Sequence, residues 1–265
     1  MRIGCQTYTW EMLGERWTGT PDDILDAVAA AGYDGAEFAN AMIGPYDGRP
    51  EAFAAAAQQR GLVPAAYAFA STGFTDPECF EADLQGADRA LQFAAALGVP
   101  LAVGGPAKPE QVPYEPALAQ ALHFYRIVAE RGSAHGVTVC VHPHSHHGSL
   151  LESAEQYDEL LDATVDAGLM FNPDAGHIVR GGQDLMDCFR RHRARIAHVH
   201  IKDVDAAGAW QALGEGTVAW PALFAFLSET AYMGWVVAEE ESAAAFTDPV
   251  GAIRRNRDYL RQLGL

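Results

Sequence analysis

Short apolar runs rich in β-branched and aromatic residues alternate with longer alanine- and leucine-rich stretches along the whole chain. The short runs are typical of buried strands, and the longer stretches have the spacing of amphipathic helices. The alternation repeats about every 33 residues, which is the length of a βα unit. Eight strands are predicted on this basis: RIGCQTY from Arg2, DGAEFA from Asp34, VPAAYAF from Val63, PLAVGG from Pro100, TVCVHPH from Thr138, GLMFNPD from Gly168, IAHVHIKD from Ile196 and GWVVAEEE from Gly234.

The predicted helices carry clear start and stop signals. The stretch TPDDILDAVAAAGY begins with Thr20 as a cap and Pro21 in the first turn, and it ends at Gly32. The same terminating device is expected at Gly61, Gly98, Gly136 and Gly264. These helices between buried strands predict an α/β protein with a parallel sheet that is covered on both faces.

Eight βα units in 265 residues predict a single (β/α)8 TIM barrel domain over residues 1–265. The alternative is an open doubly wound sheet. Such a sheet usually has a glycine-rich phosphate loop after its first strand, and CQTYTWEML from Cys5 contains no glycine. The barrel is therefore the favoured architecture.

Composition restricts the classes of function. With 49% hydrophobic and 20% charged residues, the chain has the composition of a soluble globular protein. Its net charge of −17 would repel a phosphate backbone, so a nucleic-acid partner is not expected. The first ten residues lack signal-peptide features and no long apolar run is present, so we expect a cytoplasmic protein with no membrane partner. The four cysteines form no CxxC pair and are expected to be free thiols.

Candidate chemistry collects at the carboxyl ends of the predicted strands, where the active site of a βα barrel lies. Side chains two residues apart on a strand share a face, so His142 and His144 should point the same way, as should Glu239 and Glu241, with Glu240 opposite. The residues at these ends are Glu37 on strand 2, His142 and His144 on strand 5, Asp174 and then His177 on strand 6, His198, His200, Lys202 and Asp203 on strand 7, and Glu239, Glu240 and Glu241 on strand 8.

A buried group of imidazoles and carboxylates is costly unless its members are paired or bind a cation. His142, Asp174, His200 and Glu239 end four consecutive predicted strands, so we expect them to bind one divalent metal ion. Mixed imidazole and carboxylate ligands suit Mn, Co, Zn or Fe, and they suit Mg less well.

Other candidates have a structural alternative. Glu37 and His198 are candidates for substrate binding, but Glu37 also fits an ion pair with a nearby lysine or arginine, and His198 fits a buried core position. Tyr8, Trp10 and Tyr67 are candidates for the pocket wall, with core packing as the alternative for each. His146 and His147 fit a solvated loop before Gly148.

The motifs PDAGH at Asp174, HVHIKD at His198, GEG at Gly214 and GWVVAEEE at Gly234 together resemble the xylose isomerase-like TIM-barrel superfamily, over nearly the whole chain. Its usual metal ligands are Glu, Asp, His and Glu on strands 5 to 8. The resemblance assigns the last three to Asp174, His200 and Glu239. Strand 5 carries His142 where the isomerases and epimerases have Glu, and its HxH pattern resembles the inosose dehydratase branch.

The resemblance implies a metal-dependent sugar or polyol isomerase or epimerase that removes a proton next to a carbonyl and forms an enediolate. The alternative is an inosose dehydratase-like lyase acting on a keto-inositol, keto-sugar or glycoside. Glu239 is the expected base as well as a ligand. His144, His177 and Glu241 are candidates for acid, relay or hydroxyl-binding roles, and Lys202 is a candidate for binding an oxyanion or pairing with Glu241.

Two other classes of function are less well supported. An endonuclease IV-like repair enzyme fits the superfamily but not the acidic charge, and a barrel that binds sugar without turnover would leave the metal ligands without a metal. The expected partner is a small sugar or polyol without phosphate, since Lys202 is the basic residue at the ends of strands 7 and 8. A homo-oligomer is compatible with exposed barrel helices.

Overall fold

The structure is a computed structural model that describes residues 1–105, 112–145 and 149–265. His146 and His147, predicted to be solvated loop residues, lie outside the described residues. The strands within the described ranges are β1 (Arg2–Gln6), β2 (Gly35–Ala39), β3 (Val63–Phe69), β4 (Leu101–Gly104), β5 (Val139–His142), β6 (Met170–Phe171), β7 (Val199–Ile201), β8 (Asp203–Val204), β9 (Trp210–Gln211) and β10 (Trp235–Ala238).

The helices alternate with these strands as the sequence predicts. Short 3₁₀ turns cover Gly14–Arg16, Asn40–Met42, Gly44–Tyr46 and Arg193–Arg195. The α-helices are α1 (Tyr8–Glu11), α2 (Pro21–Ala31), α3 (Pro50–Gln59), α4 (Pro77–Leu97), α5 (Tyr114–Ala134), α6 (Ala154–Ala163), α7 (Ala175–Arg180), α8 (Leu185–Arg191), α9 (Trp220–Glu229) and α10 (Pro249–Gln262).

Eight strands form one sheet, in the order β6-β5-β4-β3-β2-β1-β10-β7. Its assigned registers are parallel, as expected when a helix connects each strand to the next. The two remaining strands form an antiparallel hairpin directly after β7, in which Asp203 pairs with Gln211 and Val204 with Trp210. The eight parallel strands correspond to the eight strands predicted from the sequence.

The backbone divides into two compact units, residues 1–65 with 199–265 and residues 66–198. In the first unit, Ala65, Trp235 and Val237 belong to one buried apolar cluster, and the Tyr33 hydroxyl donates a hydrogen bond to the Ile253 carbonyl. In the second unit, the rings of Phe74 and Phe124 stack with centroids 4.0 Å apart. Each unit therefore has an apolar core of its own.

The predicted helix limits are confirmed at α2. The Thr20 side chain accepts a hydrogen bond from the Asp23 N–H, and the Asp23 carboxylate accepts one from the Thr20 N–H, which forms a capping box. Gly32 ends this helix with φ of 81°, a left-handed conformation that glycine adopts without steric cost. The cysteines are free, as expected, and burial raises the pKa of the Cys188 thiol to about 12.

Several strands are shorter than predicted. The first ends at Gln6, so Tyr8 begins α1 instead of ending a strand. The fifth ends at His142 and the last at Ala238, so His144, Glu239 and Glu241 follow their strands. Polar residues such as these are common in loops, so the polarity pattern did not show where each strand stops. No helix in the described part of the chain is long and apolar enough to cross a bilayer.

Candidate active site and metal centre

His200 is the centre of a buried cluster in the first unit. Its Nε2 lies 3.0 Å from the carboxylate oxygens of Glu37, in the middle of β2. Its Nδ1 lies 3.3 Å from Oε2 of Glu239. Burial lowers the pKa of His200, but the charges of Glu37 and Glu239 outweigh burial and raise the pKa to about 10.

Glu37 is fully buried and contacts His200, whereas the ion-pair alternative for this residue expected a lysine or arginine. A carboxylate that holds one nitrogen of an imidazole fixes the orientation of the ring. With Nε2 held by Glu37, Nδ1 is the nitrogen that faces Glu239. Glu37 therefore orients His200.

Lys202 joins the two carboxylates that follow β10. Its ammonium lies 3.2 Å from Oε1 of Glu239 and also donates a hydrogen bond to Glu241. This is the pairing with Glu241 that was one of two expectations for Lys202. Burial raises the pKa of Glu241 to about 7, against the opposing effect of Lys202. Glu240 turns elsewhere, as strand alternation predicts, and accepts a hydrogen bond from the Asn256 amide.

Helix α1 adds two groups to this cluster. Burial raises the pKa of Tyr8, and the charges of Glu241 and Glu239 raise it further. Burial also raises the pKa of Glu11, again with a contribution from Glu239. Oε2 of Glu11 is buried and has no hydrogen-bond partner among the described residues. Sequence reasoning missed Glu11, because the first strand was extended through Tyr8 and the helical spacing of the two residues was not recognised.

The hairpin after β7 places Trp210 against Lys202. The Lys202 ammonium lies 4.6 Å from the centroid of the Trp210 ring, within cation–π distance. The hairpin and the loop that follows it are fixed by Asp203, whose carboxylate accepts five hydrogen bonds, from the backbone N–H groups of Val204, Gly214, Gly216 and Val218 and from Nε1 of Trp220. The GEG motif at Gly214 thus serves as a donor to Asp203.

The second unit carries a separate polar cluster at the end of β5. Nε2 of His142 lies 3.7 Å from Oδ2 of Asp174, and the other oxygen of Asp174 caps α7 by accepting from the His177 N–H. The ring of His144 lies 4.7 Å from that of His142 and 5.0 Å from that of His177. The structure therefore brings together the four second-unit residues that were predicted for metal binding or proton transfer.

The tautomer of His177 is set by Ser145. The Ser145 backbone N–H donates to Nδ1 of His177 at 2.8 Å, so Nδ1 is an acceptor. The neutral ring then carries its proton on Nε2 and can donate it to a hydrogen-bond acceptor. Ser145 was missed because a backbone donor leaves no signal in the residue type.

Three predicted substrate-binding residues are almost fully buried. Tyr67 is 3% exposed and stacks on Phe93 with centroids 4.6 Å apart. Trp10 is fully buried with its ring 6.2 Å from that of Trp17, and its indole nitrogen has no hydrogen-bond partner in the described part of the chain. His198 is 1% exposed. The proposed metal ligands are just as buried, so burial does not distinguish the two alternatives and both stay predictions for these residues.

In each unit, one imidazole–carboxylate pair has the spacing of neighbouring ligands of a divalent cation. Ligand atoms bound at about 2.0–2.2 Å to one ion lie roughly 3.0–3.5 Å apart when they are neighbours in its coordination sphere. The His200 and Glu239 atoms are 3.3 Å apart, and the His142 and Asp174 atoms are 3.7 Å apart. Each imidazole and carboxylate pair is therefore spaced to ligate one ion with only a small adjustment.

Comparisons with known proteins agree with the fold. The sequence profile of the family described as xylose isomerase-like TIM barrel matches residues 25–263. The inosose dehydratase of Mesomycoplasma hyopneumoniae (strain J) is 25% identical over 276 residues, covering 91% of this chain and 88% of the relative. The inosose dehydratase of Geobacillus thermodenitrificans is 28% identical over 137 residues, 45% of this chain, and that match spans less than half of the relative, 46%.

Two solved structures share the fold over nearly their full length. The 3-keto-D-glucoside 4-epimerase of E. coli superposes with a TM-score of 0.80 at 20% identity, covering 99% of both chains. The IolI protein, solved with a zinc atom, gives a TM-score of 0.80 at 15% identity, covering 97% of this chain and 96% of the other. At these identities the likeness shows a TIM-barrel fold, as the sequence predicted.

Proposed function

Because this chain belongs to the xylose isomerase-like TIM-barrel family, we propose that it is a divalent-metal-dependent isomerase or epimerase of a keto-sugar or keto-polyol, formed by one (β/α)8 domain over residues 1–265. The observation that carries the proposal is the environment of Glu239. This buried carboxylate contacts the imidazole of His200 through one oxygen and the ammonium of Lys202 through the other. A base and a metal ligand combined in one residue require such a two-sided environment.

The proposed ligands of the metal are His142 and Asp174 of the second unit and His200 and Glu239 of the first, all of them buried. Two imidazole nitrogens and two carboxylate oxygens suit Mn, Co, Zn or Fe better than Mg. When bound, the metal would supply positive charge that stabilises the negative charge developing on a substrate oxygen. The zinc atom named for the IolI structure supports this class of ion.

Glu239 is the proposed base, removing the proton from the carbon next to the substrate carbonyl and leaving an enediolate. Lys202 holds the carboxylate in place and compensates its charge. Glu241, whose pKa burial raises to about 7, carries a proton for part of the time at neutral pH and is the proposed acid or relay. His177, with its proton on Nε2, and His144 beside it are proposed to donate to substrate hydroxyls.

The charge of the first-unit cluster favours a substrate without phosphate. The cluster contains four carboxyl groups, those of Glu11, Glu37, Glu239 and Glu241, against two basic groups, Lys202 and His200. An anionic group would meet net repulsion there. The keto-glucoside and inosose in the names of the related proteins are uncharged, which supports the same substrate class.

A second function is favoured by His142. In the isomerases and epimerases of the superfamily this position holds a Glu, the partner of the strand 8 Glu, and this chain has an imidazole there. The same proton abstraction would then be followed by loss of a β-hydroxyl as water, and the chain would be a lyase on a keto-inositol or keto-sugar. The names of the relatives that match by sequence, both inosose dehydratases, support this alternative.

The test is exchange in deuterium oxide with Mn²⁺ added, using D-psicose, D-fructose and inosose as substrates and NMR as the readout. Deuterium entering a recovered or epimerised ketose supports the isomerase, and an enone absorbance with loss of water supports the lyase. Glu239→Gln should abolish both signals, whereas Glu240→Gln, which alters an equally buried carboxylate turned elsewhere, should not. A protein that binds Mn²⁺ but gives neither signal would contradict both functions and favour binding without turnover.

A further inference from the structure

Asn172, directly after β6, has a buried side-chain amide that lacks a hydrogen-bond partner in the described part of the chain. Its side chain is fully buried, and neither Oδ1 nor Nδ2 has a hydrogen-bond partner among the described residues. Buried polar side chains are nearly always hydrogen-bonded, and leaving both a donor and an acceptor unsatisfied costs folding stability. Such a group is retained when a ligand, rather than the folded chain, supplies its hydrogen-bond partners.

The direction of the Asn172 side chain follows from its neighbour. The ring of Phe171 packs against Tyr157 on α6 and His192 after α8, with centroids 5.7 and 5.5 Å apart, so Phe171 faces the helices. The backbone of Asn172 continues the parallel ladder, because its N–H donates to the Val141 carbonyl at 2.9 Å. Consecutive strand residues point to opposite faces, so Asn172 points away from the helices, which in a βα barrel is the interior.

The register places Asn172 at the level of the polar cluster of the second unit. Val141 pairs with Phe171, and one residue further along the strands His142 is the neighbour of Asn172. On the other side of His142 its partner is Gly104, which adds no side chain to this level. Partners in a parallel ladder share a face, so the amide lies on the same face as His142.

We propose that Asn172 is a substrate-binding residue that recognises two neighbouring oxygens of a keto-polyol. Its Oδ1 accepts a hydrogen bond from one hydroxyl, and its Nδ2 donates to the adjacent hydroxyl or carbonyl oxygen. An amide with one acceptor and one donor free matches an α-hydroxy ketone or a vicinal diol. The assignment deepens the proposed function and rests on it, since it places the substrate beside His142.

The first test is the stability of the metal-free protein. Asn172→Leu keeps the volume and removes the unsatisfied amide, so its Tm should equal or exceed the wild-type value. The matched control is Asn256→Leu, because Asn256 is equally buried but its amide donates to Glu240 and accepts from the Leu213 N–H. This control should lower the Tm by several degrees. If Asn172→Leu lowers the Tm as much as Asn256→Leu does, the Asn172 amide has hydrogen-bond partners in the free protein and the proposal is wrong.

The second test is steady-state kinetics of the Mn²⁺-loaded protein with inosose and D-psicose. Asn172→Leu should raise the KM about ten- to a hundredfold, the loss expected for two hydrogen bonds, and leave the Mn²⁺ affinity unchanged. A deoxy analogue lacking the hydroxyl next to the carbonyl has only one of these bonds to lose, so its rise in KM between wild type and variant should be smaller. Asn172→Ala, which removes the amide without adding bulk, should show the same rise in KM.

An unchanged KM in both variants, or a fall in Mn²⁺ affinity with the KM effect, would overturn the assignment. The failure of the proposed function is distinguishable from these results. In that case the wild-type protein itself would show no turnover of either substrate, while the comparison of Tm values would still report whether the amide lacks a partner in the free protein.

Discussion

Replacing Asp203 by Asn tests how the loop after β7 is held. The Asp203 carboxylate is 1% exposed and accepts five N–H donors, three on Oδ2 and two on Oδ1. An Asn side chain has only one oxygen, so at least two donors would face an NH₂ group that cannot accept. The remaining bonds would also lose the assistance of the negative charge.

The expected cost follows from those contacts. Each buried donor left without an acceptor costs about 1–3 kcal/mol, and loss of the charge weakens the three bonds that remain. Because these effects are not additive, we expect a loss of about 3–5 kcal/mol in the free energy of unfolding. Asp205→Asn is the matched control, with the same change of charge and shape in the same hairpin. Its carboxylate accepts from the exposed N–H groups of Ala207 and Ala209, which water can satisfy, so we expect a loss of under about 1 kcal/mol.

Urea unfolding followed by circular dichroism measures both variants, and tryptophan emission reports changes around Trp220, which donates to Asp203, and around Trp210. Asp203→Asn should change the emission at low urea, before the global transition, whereas Asp205→Asn should not. Equal losses of stability in the two variants would refute the reasoning, since they would show that the five contacts of Asp203 contribute no more than a solvated turn.

Three further outcomes are expected. Lys202→Met should lower the free energy of unfolding by about 3–5 kcal/mol, because it leaves Glu239 and Glu241 buried without their cation, and Lys202→Arg should restore part of it in urea titrations. Glu37→Gln should lower the pKa of His200 in the metal-free protein, which an NMR titration measures. Because the wild-type pKa is raised from 6.5 to about 10, the wild type should lose stability as the pH rises through this interval, and the variant should lose less. Mn²⁺ at 100 times its Kd should stabilise the wild type by about 2.7 kcal/mol in calorimetry and leave Asp174→Asn unchanged.

The sequence was sufficient to predict the fold because the same strand and helix signals occur in eight successive units. Each helix that ends in glycine and each apolar strand is a weak signal, but eight units in order constrain the architecture strongly. The limits of the strands were less predictable. Residues such as Asn172 and Asp174 continue an extended backbone beyond the last ladder pair. Their residue types therefore do not show where the strand pairing stops.

The direction of a side chain in the candidate site was predictable where the alternation of strand residues determines it. Contacts between residues distant in the sequence were not predictable. The shared direction of Glu239 and Glu241 and the opposite direction of Glu240 follow from a period of two. The contact of Glu37 with His200, two residues 163 positions apart, follows only from the fold. Glu11 was missed because four helical residues after a strand give too short a period to recognise.

The central claim is that His142, Asp174, His200 and Glu239 bind one divalent metal ion. The most direct measurement is an anomalous difference map from crystals of the chelator-treated protein soaked in Mn²⁺. The account predicts one peak per chain, with ligand atoms from all four side chains at about 2.0–2.3 Å. A map with no peak at these residues, or a peak whose ligands do not include His142, would contradict it.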